Sequence, residues 1–112
     1  MFSFNEIHKK MKQPQDCQNM LDIREAIDSL DRDIIHKFGI RFEYVKAAAK
    51  FKQNRKEVRA EERFNSMLEQ RRIWATKNNL NPDIIEQVYR DLVNYFIEEE
   101  LQHLQDRNNL SK

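Results

Sequence analysis

The sequence contains very little glycine, proline or cysteine. Its 112 residues include one glycine, two prolines and one cysteine. Since β-turns and hairpins depend on glycine and proline, their scarcity argues against a β-sheet protein. The single cysteine, Cys17, excludes an internal disulfide and a site built from several thiolates. The three histidines, His8, His36 and His103, form no close ligand pair, so we expect no metal site.

Long apolar runs and a large net charge are also missing. No stretch approaches the roughly 20 apolar residues of a membrane helix, and the N-terminus lacks the apolar core of a signal peptide. The net charge is +1, from 20 basic and 19 acidic residues, so the chain has no overall basic field that would hold nucleic acid. We therefore expect a cytoplasmic protein that binds neither membranes nor nucleic acid.

The residues that are abundant favour helices. Charged residues make up 35% of the chain, and Lys, Arg, Glu and Gln are good helix formers with solvated outer faces. We predict an all-α chain of three helices. The first begins at the N-cap Asn19 and runs to about Phe51, the second covers about residues 61–77, and the third follows the Asn81–Pro82 start signal and frays near Asn108.

The predicted domain plan is simple. Residues 1–10 carry no clear cap or stripe and are taken as an N-terminal extension, and residues 11–112 as one helical domain. The polar, basic residues 53–60 are predicted to form a loop, which is either a lid over a ligand site or an inert connector. The first helix should be about 50 Å long, too long for so small a chain to bury. It therefore predicts a homodimer.

Two charged residues occupy apolar positions of the predicted helices. In both helices, apolar residues recur every three or four positions and form a stripe along one face. Arg41 lies between Phe38 and Val45 on the stripe of the first helix, and Glu100 continues the stripe of the third helix after Phe96. Burying a charge is costly unless it is paired or used. Each residue is therefore either paired with a partner in the core or part of a functional site. For Glu100 a third possibility is that it lies where its helix leaves the core.

Helical spacing relates these charges to other basic residues. Arg41 and Lys52 are eleven residues apart, which on a continuous helix is about 20° around the axis and ~16 Å along it. Two long side chains in that arrangement could bind opposite ends of a small dianion. Arg24 precedes Lys52 by 28 residues, or ~42 Å along the helix. It can approach Lys52 only across an antiparallel dimer.

Several segments resemble a known enzyme family. Residues 22–31, with a basic residue followed by an Ile-Asp-x-Leu-Asp run, resemble the opening of AroQ-class chorismate mutases. Residues 11–17, 44–48 and 51–52 resemble the isochorismate pyruvate lyase branch of that class, and the likeness covers about residues 11–104. The resemblance implies an intertwined homodimer of three-helix chains, with two equivalent sites and no cofactor.

The resemblance also implies roles for four residues. Arg24 of the partner chain and Arg41 would each hold a substrate carboxylate, and Lys52 would donate to the enolpyruvyl ether oxygen as its bond breaks. Glu100 stands where the branch has a glutamine donor, although some mutases of the class carry glutamate. An ionised Glu100 would repel a dianion and could donate no hydrogen bond. Our hypothesis is that Glu100 works in its protonated form.

One further position separates lyase from mutase. Many bacterial mutases of the class have a glutamate directly after an arginine of the second helix, where it binds the ring hydroxyl of chorismate. Here Arg63 is followed by Phe64. The resemblance thus favours cofactor-free, pericyclic conversion of isochorismate to salicylate and pyruvate, with weak chorismate mutase activity.

Two other functions stay open on the sequence. One is chorismate mutase itself, and the other is a non-catalytic helical dimer or adaptor. The charges at Arg24, Arg41 and Lys52 argue against the adaptor, because a purely structural stripe would place an apolar residue at position 41.

Overall fold

The protein is described here by a computed structural model that covers residues 11–110, and these residues form helices and no strand. The helices are α1 (Met20–Ala48), α2 (Arg55–Arg59), α3 (Glu61–Lys77) and α4 (Pro82–Leu110). Single turns of 3-10 helix cover Pro14–Asp16 and Ala49–Phe51. The predicted all-α class and its three long helices are confirmed. The predicted extension, residues 1–10, lies outside the described residues.

The two helix starts predicted from Asn19 and Asn81 are confirmed by their caps. The Asn19 side chain accepts a hydrogen bond from the Asp22 N–H at 2.9 Å, which satisfies one of the free donors at the start of α1. The Asp22 carboxylate accepts in turn from the Gln18 N–H at 3.0 Å. At the start of α4, Asn81 accepts from the Asp83 N–H at 2.8 Å, and Pro82 occupies the first helical position.

The prediction of a loop over residues 53–60 is wrong, because this stretch contains α2. Asn54 caps the helix by accepting from the Glu57 N–H at 2.9 Å, and the left-handed Ala60 (φ 43°) ends it. An Asn followed three residues later by Glu is a helix-start signature, which the high polarity of the stretch obscured. Val58 is only 4% exposed and anchors the short helix.

The core lies between α2, α3 and α4. Val58 packs with three residues of α4, and Phe64 and Val93 cover this cluster. The α4 members are Ile97, Leu101 and Leu104. Other buried apolar side chains on α3 and α4 are Met67, Leu68, Ala75 and Phe96. Because α2 contributes an apolar side chain, the segment that follows Lys52 is tied to α4.

The long helix α1 contrasts with this core. The chain divides into two compact units between Glu43 and Tyr44, and most of α1 belongs to the first. None of the 29 residues of α1 is buried. Its large exposed apolar side chains in the first unit are Met20, Leu21, Ile27, Leu30, Ile34, Ile35 and Ile40. No helix within residues 11–110 has the length and apolar content to cross a membrane.

The end of α1 changes one prediction. The α-helix stops at Ala48, a 3-10 turn follows, and Lys52 has extended backbone angles (φ −112°, ψ 129°). The predicted end at Phe51 is thus correct to within one turn. The relation of about 20° and ~16 Å predicted for Arg41 and Lys52 assumed a continuous helix. That condition is not met, because Lys52 lies beyond the last helical residue and does not follow the helical repeat.

Candidate active site

Two of the predicted site residues meet in the second unit. The Lys52 Nζ lies 3.0 Å from the Glu100 Oε2, although the two residues are 48 positions apart in the sequence. The side chain of Glu100 is 6% exposed and that of Lys52 is 24% exposed. The acidic residue on the apolar stripe is therefore paired, and its partner reaches the protein surface.

The position of Glu100 follows from the packing of α4. It lies next to Leu101 and one turn after Phe96 and Ile97, all of which are buried. A carboxylate on this side of the helix has little access to water, so it needs a hydrogen-bonding or charged partner. The Lys52 ammonium provides that partner from a different segment of the chain.

The main chain of Lys52 is held on both sides. Its N–H donates to the Ala49 carbonyl at 3.1 Å, which closes the 3-10 turn. Its carbonyl accepts a hydrogen bond from the Arg107 Nη2 at 3.2 Å. The next residue, Gln53, donates its N–H to the Glu57 carboxylate at the start of α2. The base of the lysine side chain is therefore fixed by its neighbours.

This arrangement leaves an anchored ammonium group available for chemistry. A lysine ammonium has three N–H donors, and Glu100 accepts from one of them. Because the Lys52 side chain is partly exposed, the other two can donate to a bound molecule. A donor held in place before reaction stabilises an oxygen that gains negative charge in the transition state.

The two predicted arginines lie on α1, in the first unit. Arg24 is exposed and Arg41 is half-buried. They are seventeen residues apart on one continuous helix, or about 25 Å along its axis. The two arginines of one chain therefore cannot hold the two carboxylates of one small substrate.

The residue that separated lyase from mutase in the sequence lies against the core. Phe64 is half-buried and packs on the cluster formed by Val58 and the α4 residues. The Arg90 guanidinium lies over its ring at 5.8 Å. The side chain at this position is therefore an aromatic contact to the core and has no hydrogen-bonding group.

Arg107 was not among the site residues predicted from the sequence. The residue lies in the last turns of α4, where a basic side chain is ordinary because it complements the helix dipole. A signal was nevertheless present, since Arg107 follows Glu100 by seven residues, which is about two helical turns and hence the same face.

The chain is similar to a known protein family and to two known proteins. Residues 23–101 match the family model of chorismate mutase type II, a range that includes Arg24, Arg41, Lys52 and Glu100. The isochorismate pyruvate lyase of Pseudomonas aeruginosa is 40% identical over 93 residues, which are 83% of this chain and 92% of that protein. The T-protein of Haemophilus influenzae is 43% identical over 70 residues, which are 62% of this chain and 19% of the T-protein.

Proposed function

The chain belongs to the chorismate mutase type II family, and on this premise we propose that it is an isochorismate pyruvate lyase with weak chorismate mutase activity. The observation that carries the proposal is the similarity to the Pseudomonas aeruginosa lyase across 92% of that protein. The anchored Lys52 ammonium supplies the chemical group that the reaction needs. The cytoplasmic location expected from the sequence remains a prediction.

The proposed reaction is a single concerted step that splits isochorismate into two products. The ether bond between the ring and the enolpyruvyl group breaks while a hydrogen moves from the ring to the terminal enolpyruvyl carbon. The ring becomes salicylate, and the former ether oxygen becomes the ketone oxygen of pyruvate. All atoms are conserved, so the protein needs to hold the reactive conformer and stabilise the charge that develops.

Lys52 is the proposed donor to the ether oxygen, which gains negative charge as its bond breaks. Glu100 holds the ammonium at 3.0 Å and is the second group beside that oxygen in this proposal. An ionised carboxylate would repel the dianionic substrate and could only accept hydrogen bonds. In the structure, which holds no substrate, the Glu100 carboxylate accepts from the Lys52 ammonium. While substrate is bound, Glu100 is protonated in this proposal.

Arg41 of one chain and Arg24 of a partner chain are the proposed carboxylate ligands. The separation of the two arginines along α1 supports this assignment, because one chain cannot bring both to the same small molecule. The exposed apolar residues of α1 support a homodimer, since a second copy would remove them from water. Each site would then combine residues of both chains.

Two substrates distinguish the candidate functions. Purified isochorismate and chorismate are supplied separately, and salicylate fluorescence and prephenate are measured. We expect a higher kcat/KM for isochorismate, because Phe64 offers no hydrogen bond to the ring hydroxyl of chorismate. Equal or higher efficiency on chorismate would instead assign the chain as a chorismate mutase, the function that the family name favours. No turnover of either substrate would contradict both proposed activities and favour a non-catalytic dimer.

A further inference from the structure

Helix α4 holds Lys52 at two points. Glu100 binds the tip of the side chain, with 3.0 Å between Oε2 and Nζ. Arg107, seven residues later on the same helix, donates to the main-chain carbonyl of Lys52 at 3.2 Å. The buried Leu104 lies between them in the sequence and packs with Val58 of α2. The two polar contacts of Lys52 therefore lie on either side of an apolar contact, and all three join residues 52–58 to α4.

We propose that Arg107 is a positioning residue for the lyase reaction, which acts by fixing the main chain of Lys52. The proposal rests on the function assigned to Lys52 above. Arg107 itself need not touch the substrate. Arg107 fixes the main chain from which the Lys52 side chain extends, whereas Glu100 fixes the ammonium group at its tip.

The role of Arg107 follows from the flexibility of the lysine side chain. Its four-carbon side chain can place the ammonium in many positions, so one contact at the tip does not fix it unless the base is also fixed. Lys52 follows the last residue of a 3-10 turn and has extended backbone angles, so no helical hydrogen bond occupies its carbonyl. Arg107 supplies the partner that a continuing helix would have supplied. Displacing a catalytic group by about 1 Å can cost as much as 10²-fold in rate.

A second arginine provides a matched control. Arg59 of α2 makes another contact between α4 and the segment that follows Lys52, with its Nη2 3.8 Å from the Glu98 Oε1. Both arginines have exposed contacts with residues far away in the sequence. Of these two contacts, only that of Arg107 is with Lys52. A general effect of losing an arginine that joins α4 to residues 52–59 should therefore be equal in the two variants.

The experiment compares Arg107→Ala, Arg107→Lys and Arg59→Ala with the wild-type protein, with isochorismate as substrate. We expect Arg107→Ala to lower kcat about tenfold, since the contact is exposed and water replaces it in part, while KM changes by less than about twofold. Arg107→Lys should recover part of kcat, because an ammonium can also donate to the carbonyl. Arg59→Ala should keep kcat within about twofold of the wild-type value. The unfolding midpoints of the two alanine variants should agree with each other.

Amide hydrogen exchange provides a readout that is independent of turnover. Exchange at residues 52–54 should become faster in Arg107→Ala and stay unchanged in Arg59→Ala. Unchanged kcat and unchanged exchange in Arg107→Ala would overturn the proposal, as would equal losses in the two alanine variants. If the wild-type protein does not convert isochorismate, the proposed function fails, and the exchange data still decide whether Arg107 fixes Lys52.

Discussion

Glu100 is the more deeply buried partner of its ion pair with Lys52. The two groups are 3.0 Å apart, with 6% of the glutamate side chain exposed against 24% of the lysine side chain. Losing the lysine would leave a buried carboxylate without its charged partner. Losing the charge of the glutamate would leave an ammonium that can still reach water. Mutation of the two residues should therefore affect stability unequally.

Lys52→Ala should lower both stability and turnover. Removing one partner of a buried pair costs about 3–5 kcal/mol, and the partial exposure of Lys52 reduces the expected loss to about 2 kcal/mol of unfolding free energy. The double variant Lys52→Ala/Glu100→Gln should recover most of this loss, because it removes the buried charge, yet it should not recover turnover. Urea denaturation at one protein concentration and salicylate release measure the two effects. Salicylate release at the wild-type rate by either variant would contradict the role of Lys52.

Glu100→Gln should retain turnover of isochorismate, because Glu100 is proposed to act as a hydrogen-bond donor and an amide is also a donor. Glu100→Leu, which has no donor, should lose most of it. The kcat of both variants and of the wild-type protein is measured with isochorismate at one pH. Equal losses in the two variants would be inconsistent with a donor role for Glu100.

The cap of α1 should make stability depend on acidic pH. The hydrogen bond from the Gln18 N–H, together with that from the Lys12 ammonium, lowers the pKa of Asp22 below its ordinary value of 3.8. A lowered folded-state pKa adds stability that is present above the unfolded value near 3.8 and is lost as pH falls through the folded value. Asp22→Asn should therefore lower the melting temperature at neutral pH and weaken its fall between about pH 4 and pH 2.

The control for this change is Asp28→Asn, which removes the same charge from an exposed position in the interior of α1. The variant should keep the acid-dependent loss of the wild-type protein. If Asp22→Asn and wild type lost stability in parallel below pH 4, the cap would not be the source of the dependence.

The exposed stripe of α1 should hold the dimer together. Ile34 is 46% exposed and lies with Ile27 and Leu30 on one side of the helix. Ile34→Glu should convert a dimer into a monomer and abolish salicylate formation, because an ionised carboxylate cannot be buried at an apolar interface. Arg32→Glu, about 160° away around the helix, is the control that should remain dimeric. Light scattering after gel filtration measures the mass, and an active wild-type monomer would contradict the account.

Elements whose signals are local could be predicted from the sequence. The caps at Asn19 and Asn81 act through side chains within three residues of their targets, so both starts were predictable. The start of α2 has an equally local signal, the Asn54 to Glu57 spacing. A loop was predicted there instead, because Val58 is the one apolar residue of that short helix.

The contacts of Lys52 could not be predicted, because they join segments that are distant in the sequence. Glu100 and Arg107 are 48 and 55 residues away from it. Helical periodicity relates residues within one helix, and Lys52 lies after the end of α1. That Glu100 needed a partner followed from its apolar surroundings, whereas the identity of the partner depends on how α2 packs against α4.

The central claim is that each active site joins Arg24 of one chain to Lys52 of another. Arg24→Ala and Lys52→Ala chains are prepared separately, unfolded, mixed in equal amounts and refolded, and salicylate release from isochorismate is measured. In a mixed dimer, one site receives both intact residues and the other receives neither. Random pairing should therefore restore about a quarter of the wild-type activity from two inactive variants. Activity of the mixture no higher than that of the separate variants would contradict a shared site.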